Sequence, residues 1–239
     1  MKHIPNIITL LNLAAGFIAI ICAAGGNLVS ASWIILVAMI LDFLDGFAAR
    51  LLKAYSALGK ELDSLSDVVS FGVAPALIMY MMLYGLEPVI FPGLSAYRDI
   101  LVTIIIFIPV LMPVCAALRL AKFNLDPSQA TSFSGLPTPA GALAVISVVI
   151  AGHYSEYSLI ESFVSSPMAL GIYTIVISLL MVSNIPMLSL KIKGLAIKGN
   201  EGRYLLAGLV LLSLIIFGIS AALLIIPLYI VASFVSRLF

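Results

Sequence analysis

Four aspartates lie near the end of one apolar segment and the start of the next: Asp42, Asp45, Asp63 and Asp67. On helices, Asp42 and Asp45 share one stripe, and Asp63 and Asp67 are one turn apart on one face. Two carboxylates about 5 Å apart repel by roughly 3 kcal/mol at an effective dielectric of about 20. Four such anions at a membrane edge therefore recruit protons or cations. All-oxygen ligation without histidine or cysteine favours magnesium, manganese or calcium over zinc.

Small and basic residues accompany these acids. Gly46 and Ala49 fall on the stripe of the first two aspartates, where their lack of bulk lets a ligand approach the backbone. Arg50, Lys53 and Lys60 add positive charge nearby. Hard divalent metals beside basic groups and a notch of small residues indicate phosphoryl transfer. The alternative is a clasp of salt bridges between the acids and these cations, which would not require the glycine or the alanine.

Composition shows where such a site must lie. The chain has 239 residues, of which 63% are hydrophobic and 10% charged, and its mean hydropathy is +1.23. These values exclude a soluble cytosolic enzyme, and a net charge of +1 gives no reason to expect nucleic acid as a partner. Cys22 and Cys115 lie inside apolar runs without metal-ligand spacing, so we interpret them as buried thiols.

Hydropathy divides the chain into apolar segments long enough to span a bilayer. They lie near 6–25, 30–53, 62–85, 99–122, 138–155, 167–189 and 203–238. The last would form a helix of roughly 54 Å against a hydrocarbon core of about 30 Å, so we divide it near Gly218 to Ala222 and predict eight spans. The alternative is one helix to Ile226, broken by Pro227, with an interfacial remainder.

Basic residues predict the orientation, because Lys and Arg are retained on the cytoplasmic side. With the N-terminus inside, only Arg98 of the twelve basic residues falls outside. The others are Lys2, Arg50, Lys53, Lys60, Arg119, Lys122, Lys191, Lys193, Lys198, Arg203 and Arg237. The loops around Glu87 and around Glu156 to Glu161 are then external. We expect a multi-pass protein of the cytoplasmic membrane, with its N-terminus and acidic cluster on the cytoplasmic side.

The acidic segment also carries a family resemblance. Residues 42–67 read D-F-L-D-G-F-A-A-R-L-L-K-A-Y-S-A-L-G-K-E-L-D-S-L-S-D. This matches the CDP-alcohol phosphotransferase signature D-x2-D-G-x2-A-R-x8-G-x3-D-x3-D without departure. The resemblance implies an all-α polytopic membrane protein with a six-helix core, usually dimeric, here followed by about two C-terminal transmembrane helices. We expect one catalytic domain over 1–239, with the core at about 4–190 and a C-terminal helical hairpin at about 203–238.

The same resemblance assigns roles to individual residues. It implies that two divalent cations, Mg²⁺ or Mn²⁺ with Ca²⁺ as a further candidate, are held by Asp42, Asp45, Asp63 and Asp67. It implies that Asp67 is the catalytic base that deprotonates the incoming alcohol, a role suited to a carboxylate beside a metal. The residues expected to bind the CDP-lipid are Asn6, Thr9, Asp42, Asp45, Gly46, Ala49, Arg50, Gly59 and Asp63.

Three further segments bear on the acceptor alcohol. Asn6, Thr9 and Asn12 share a helix face after Pro5; A-L-R-L-A-K-F-N occupies 117–124; and F-S-G-L-P-T-P-A occupies 133–140. Each has a simpler interpretation: interhelical hydrogen bonds, a snorkelling arginine, or a turn before a helix. Together they resemble the phosphatidylserine synthase branch, although many relatives have arginine at the position of Lys122. The resemblance implies that L-serine contacts Arg119, Lys122, Asn124 and Thr138.

The predicted reaction is attack by the serine hydroxyl on the phosphorus attached to diacylglycerol in CDP-diacylglycerol, giving phosphatidylserine and CMP. Expected partners are CDP-diacylglycerol, L-serine, the lipid bilayer and a second copy of the chain. One alternative is a phosphatidylglycerophosphate or phosphatidylinositol-phosphate synthase, whose phosphorylated acceptors need more basic residues. Another is an ion-coupled transporter, although such proteins bind cations near the midplane rather than at the ends of spans.

Overall fold

A computed structural model describes residues 3–86, 103–125, 133–188 and 200–236. Within these ranges the chain is a bundle of helices. They are α1 (Ile4–Ala24), α2 (Leu28–Leu51), α3 (Ala57–Gly85), α4 (Thr103–Leu125), α5 (Thr138–Tyr154), α6 (Ser158–Val164), α7 (Pro167–Val182), α8 (Glu201–Phe217) and α9 (Ile225–Val235). Helix α3 contains a π-helical segment at Val68–Val73, and α4 contains a 3₁₀ turn at Ile108–Val110. A second 3₁₀ segment, Gly218–Leu224, joins α8 to α9.

Helices α1 and α2 pack against each other as a hairpin. Pro5 lies in the first turn of α1, where its missing N–H costs no helical hydrogen bond. Gly26 adopts a φ of +81° in the turn, and the Asn27 side chain caps α2 by accepting from the Ser30 N–H at 3.1 Å. The hairpin brings the carboxyl end of α2, which carries Asp42 and Asp45, beside the amino end of α1.

Helix α3 begins at Ala57, five residues before the predicted 62. Ser56 caps it by accepting from the Gly59 N–H at 2.9 Å. The first turns carry Lys60 and Glu61, so a hydropathy window misses them although the cap fixes their helical start. Asp63 consequently lies on a helix and its position is set by the backbone.

Helix α3 packs very closely against α1. The Ser66 hydroxyl donates to the Thr9 carbonyl oxygen at 3.2 Å, and the Ser70 hydroxyl donates to the Asn12 carbonyl oxygen at 3.0 Å. A Cβ on Gly16 would lie 2.3 Å from the Ser70 hydroxyl oxygen, so only glycine permits this approach. The contact holds the acidic turns of α3 against the first two helices.

The apolar helices confirm an all-α polytopic membrane protein. Among the described ranges, five helical segments are long and apolar enough to span a bilayer, and a sixth is added if α6 and α7, bent by 78°, form one span. The shorter apolar helix α5 is buried along most of its length and packs against α2, α7 and the Gly218–Leu224 segment. It forms the centre of the bundle.

The C-terminal apolar segment folds back on itself, as the prediction of a break near Gly218 required. Gly218 ends α8 with a φ of +57°. A Cβ on Gly202, at the start of α8, would lie 2.5 Å from the Cβ of Ser236, just after α9. The alternative with Pro227 as the break is wrong, because Pro227 lies in the first turn of α9, where proline is tolerated.

Several residues used to predict the orientation lie outside the described ranges. They are Lys2, Arg98, Lys191, Lys193, Lys198, Arg237 and Glu87. The predicted external loop at Glu156 to Glu161 lies between α5 and α7 and includes most of the first turn of α6.

Candidate active site

A carboxylate cluster forms where the end of α2 meets the first turns of α3. One carboxylate oxygen from each of Asp42, Asp63 and Asp67 lies within 4.8 Å of the others. Asp67 is buried, and the other two are half-buried. Asp45, one turn further along α2, is also buried, and it lies on the wall of the adjoining cavity together with Asp63. The structure thus brings three of the predicted ligands together and places the fourth beside them.

Two oxygens of these side chains lack hydrogen-bond partners. Within the described residues, Asp45 Oδ2 and Asp67 Oδ1 are buried without a donor. A buried carboxylate oxygen without a partner is costly, and it is usually explained by an ion or another ligand. The donor set consists of oxygen atoms alone, which suits a hard divalent cation. The site therefore fits the metal that the acidic motif predicts.

A cavity of about 520 Å³ adjoins the cluster. It is lined by α1, the end of α2, the following loop and the start of α3. Every residue predicted to bind the CDP-lipid lines it except Asp42, which belongs to the carboxylate cluster. The predicted lining residues are Asn6, Thr9, Asp45, Gly46, Ala49, Arg50, Gly59 and Asp63.

The two motif glycines of the cavity serve different purposes. A Cβ on Gly46 would meet nothing within 4 Å, so the glycine leaves space that opens into the cavity. A Cβ on Gly59 would lie 2.9 Å from Asn6 Oδ1 and 3.0 Å from the Ser56 hydroxyl oxygen. Gly59 therefore permits the close approach of α3 to α1, whereas Gly46 leaves room for a ligand.

The basic residues of the cavity bond to backbone oxygens. Arg50 Nε donates to the Gly46 carbonyl oxygen at 3.0 Å, and Lys60 Nζ donates to the Asn124 carbonyl oxygen at 3.2 Å. These bonds give no support to a salt-bridged clasp. They hold two positive charges at the cavity wall, where a phosphorylated ligand would meet them.

Sequence reasoning missed some of the cavity wall. Tyr55 and Ser56 lie in the loop between α2 and α3, and Phe123 comes from the end of α4. Tyr55 is 74% exposed. Tyr55 and Ser56 fall on variable positions of the motif, and Phe123 lies far from it in sequence, so the motif contains no signal for any of them.

Two of the predicted serine contacts line a second, much smaller cavity. Its volume is about 20 Å³, close to the space for one water molecule. Its walls are Arg119 and Lys122 of α4, Ser134, the end of α7 and the following residues Ser183 and Asn184. We call it the acceptor pocket, after the prediction that Arg119 and Lys122 bind the acceptor.

Arg119 connects this pocket to the carboxylate cluster. The side chain is only 9% exposed, so it is buried and does not snorkel to water. It interacts electrostatically with Asp67 and with Tyr229 of α9. In the part of the chain that the structure describes, Arg119 Nε has no hydrogen-bond partner. A buried guanidinium with an unused donor is suited to an anionic group.

The structure places Asn124 and Thr138 outside the acceptor pocket. Asn124 Nδ2 donates to the Ser64 hydroxyl oxygen at 2.8 Å, which directs the amide towards α3. Thr138 is fully buried in the first turn of α5. The reason is the preceding loop: Gly135, with a φ of +75°, donates its N–H to the Ile185 carbonyl oxygen at 2.8 Å. This docking brings Ser134 to the pocket instead.

Comparison with known proteins agrees with this geometry. The family profile described as CDP-alcohol phosphatidyltransferase matches residues 2–231. The chain is 37% identical over 186 residues to the CDP-diacylglycerol–serine O-phosphatidyltransferase of Bacillus subtilis (strain 168), covering 77% of this chain and 89% of that protein. It is 35% identical over 186 residues to the enzyme of the same name from Helicobacter pylori (strain ATCC 700392 / 26695), covering 76% and 70%.

An archaeal protein is similar as well. The archaetidylserine synthase of Methanothermobacter thermautotrophicus is 35% identical over 157 residues, which cover 65% of this chain and 61% of that protein. The names of these relatives confirm the resemblance to the serine-using branch that the sequence motifs indicated. The match over residues 2–231 includes the acidic motif, both cavities and most of the C-terminal hairpin, and it shows that the chain belongs to the CDP-alcohol phosphatidyltransferase family of membrane transferases.

Proposed function

We propose that this protein transfers the phosphatidyl group of CDP-diacylglycerol to the hydroxyl of L-serine, giving phosphatidylserine and CMP. The observation that carries the proposal is the position of Asp67. It belongs to the carboxylate cluster beside the large cavity, and it interacts with Arg119 of the acceptor pocket. The names of the bacterial relatives support serine as the alcohol.

In this proposal the cavity of about 520 Å³ binds the donor, and we call it the donor cavity. Its volume of about 520 Å³ suits a nucleotide headgroup. Arg50 and Lys60 face the diphosphate, and the space beside Gly46 admits the ligand close to the helix backbone. The cavity lies among the ends of apolar helices, so the acyl chains remain in the bilayer while the headgroup enters the protein.

Asp42, Asp45, Asp63 and Asp67 would hold two divalent cations, magnesium or manganese. When bound, such cations offset negative charge on the phosphoryl oxygens. All four side chains project from α2 and α3, which pack against each other, so the proposed base lies among the proposed metal ligands.

The acceptor pocket binds serine through its carboxylate. Arg119 and Lys122 supply the positive charge, while the cavity of about 20 Å³ has room for one end of the acceptor. The serine hydroxyl then faces Asp67, which accepts its proton as the oxygen–phosphorus bond forms. The phosphorus–oxygen bond to CMP breaks in the same transfer.

The orientation and assembly belong to the same proposal. We propose a single membrane-embedded catalytic domain, with both cavities on the cytoplasmic side, where CDP-lipid headgroups and serine are available. The lopsided distribution of basic residues supports this orientation. A dimer is proposed from the family resemblance alone.

An acceptor panel tests the proposal. Purified protein in lipid nanodiscs is given CDP-diacylglycerol with serine, glycerol 3-phosphate or inositol 1-phosphate, with Mg²⁺ or Mn²⁺ omitted and restored. We expect CMP release with serine alone, lost on chelation and regained on addition of the metal. Activity with glycerol 3-phosphate and none with serine would refute the choice of acceptor. Cation flux in proteoliposomes without CMP release would instead support the transporter.

A further inference from the structure

The C-terminal hairpin, formed by α8 and α9, contacts the segment that follows α7. Tyr229 donates its hydroxyl to the Leu188 carbonyl oxygen at 2.9 Å. The Leu188 N–H donates to the Ser233 hydroxyl oxygen at 3.0 Å, and that hydroxyl donates in turn to the Tyr229 carbonyl oxygen at 2.7 Å. Both side chains are nearly fully buried. Tyr229 and Ser233, one turn apart on α9, therefore satisfy both the carbonyl oxygen and the N–H of Leu188.

Leu188 is connected to the wall of the acceptor pocket through a short stretch of backbone. Pro186 and Met187, immediately before it, pair in antiparallel fashion with Ser134 and Phe133. Ser134 itself lines the pocket, as do Ser183 and Asn184 at the start of the same segment. Leu188 is thus joined through strand pairing and backbone to Ser134, Ser183 and Asn184, which line the pocket together with Arg119.

Tyr229 also interacts electrostatically with Arg119, a wall residue of the pocket. Helix α9 is thus linked to the pocket through Arg119 as well as through the backbone segment that it holds.

We propose that Tyr229 and Ser233 are positioning residues of the acceptor pocket, so that the C-terminal hairpin completes the site for the alcohol and leaves the donor cavity unaffected. The inference rests on the proposed function, because it assigns the acceptor to this pocket. It predicts a separation of the two substrates. Loss of either hydroxyl raises the KM for the acceptor, whereas the KM for the CDP-lipid and the kcat at saturating acceptor stay within about twofold of wild type.

The experiment measures both KM values and kcat for Tyr229→Phe and Ser233→Ala in nanodiscs. Removing one buried hydrogen bond is expected to raise the serine KM by about three- to tenfold. Ser233→Thr keeps the hydroxyl and should restore the wild-type serine KM. Should Ser233→Ala not fold, Tyr229→Phe decides the question, since its aromatic ring preserves the packing.

Two matched controls separate positioning from general destabilisation. Tyr173→Phe removes a phenol that likewise donates to a backbone oxygen, that of Ala144 at 3.1 Å, but between α7 and α5. Ser213→Ala removes a buried hydroxyl of the same hairpin that donates within α8, to the Val210 oxygen at 2.8 Å. Both should leave the serine KM unchanged.

The possible outcomes are distinct. An unchanged serine KM in Tyr229→Phe, or an equal rise in both substrates' KM values, would overturn the inference. A wild-type enzyme that ignores serine and uses another alcohol would refute the proposed function. In that case the KM for the alcohol that the enzyme does use is measured on the same variants. That KM then tests the role of the hairpin independently of the proposed function.

Discussion

Both cavities are linked to the carboxylate cluster, the donor cavity through Asp63 and the acceptor pocket through the interaction of Arg119 with Asp67, but they differ in size, charge and origin. The donor cavity measures about 520 Å³ and is built mostly from α1, α2 and the start of α3. The acceptor pocket measures about 20 Å³ and is assembled from α4, Ser134 and the residues after α7. One is wide with acidic and basic walls, while the other is narrow with two cations.

This difference explains how one framework can serve a constant donor and a selected acceptor. In the proposed function, the donor cavity recognises a large headgroup through residues that lie mostly close together in sequence. The acceptor pocket would discriminate by exclusion, because little more than one polar group fits between its cations and the backbone after α7. On this proposal, selectivity for the alcohol depends on long-range packing, whereas donor binding depends on a local motif.

The largest expected effect is at Asp67, which belongs to the carboxylate cluster and interacts with Arg119 of the acceptor pocket. Asp67→Asn should reduce turnover by about a thousandfold, because the proton acceptor is lost, while CDP-diacylglycerol binding remains measurable. Asp42→Asn, in the same carboxylate cluster, should lose both. CMP release and binding of a labelled donor measure the two properties. Wild-type turnover by Asp67→Asn would remove this residue from the role of base.

The next effect belongs to the acceptor pocket alone. Arg119→Ala removes a charge-assisted contact to the acceptor carboxylate, which should raise the serine KM by about thirtyfold. The KM for the CDP-lipid should stay within about threefold. Arg119→Lys, which keeps the charge and loses the planar fork, should fall between the two. An unchanged serine KM in the alanine variant would contradict the division between the cavities.

A substitution in the donor cavity should instead raise the KM for the donor. In Gly46→Ala the new methyl group meets no protein atom within 4 Å but occupies ligand space, so the donor KM should rise by about tenfold. The free energy of unfolding should be unchanged or increase by up to about 1 kcal/mol, since alanine favours the helix more than glycine does.

Gly208→Ala is the matched control, because a Cβ there also meets nothing within 4 Å and Gly208 lies in α8, which lines neither cavity. It should leave both KM values unchanged. A donor KM that rises equally in Gly208→Ala and Gly46→Ala would show that the substitution acts on the helix rather than on the ligand.

The smallest expected effect on the serine KM comes from changing the shape of the cationic group at Lys122. Lys122→Arg retains the charge at the acceptor pocket and adds a planar fork, so the serine KM should change by no more than about threefold. Steady-state kinetics with serine varied at saturating donor measure it. A tenfold rise would show that a compact ammonium is required there.

The donor side was largely predictable because its determinants are contiguous. Helical periodicity within 42–67 places the acids and small residues on facing stripes, and the structure puts Gly46, Ala49 and Arg50 on one cavity wall. Hydropathy also predicted the break at Gly218, because the segment is too long for one span. The early start of α3 escaped prediction, since a capping serine outweighs the polarity of the first turns.

The acceptor side was only half predictable. Arg119 and Lys122 are conspicuous in an apolar helix, but Ser134 and Ser183 are ordinary residues that reach the pocket through the docking of Gly135 on the end of α7. The same docking turns Thr138 inwards. Such tertiary placement has no local signature, because it depends on where a distant backbone segment lies.

The π-helical segment Val68–Val73, which follows Asp67 directly, has a mechanical consequence. A π turn accommodates one more residue than an α turn, and it acts as a phase adjustment between the two halves of α3. Converting the segment to α-helix without removing a residue would rotate the half that bears Asp63 and Asp67 by about 100° relative to the half that packs in the bilayer, whereas deleting one residue would let it become α-helical with the two halves still aligned. The π turn therefore sets the angular alignment between the anchoring half of the helix and its reactive half.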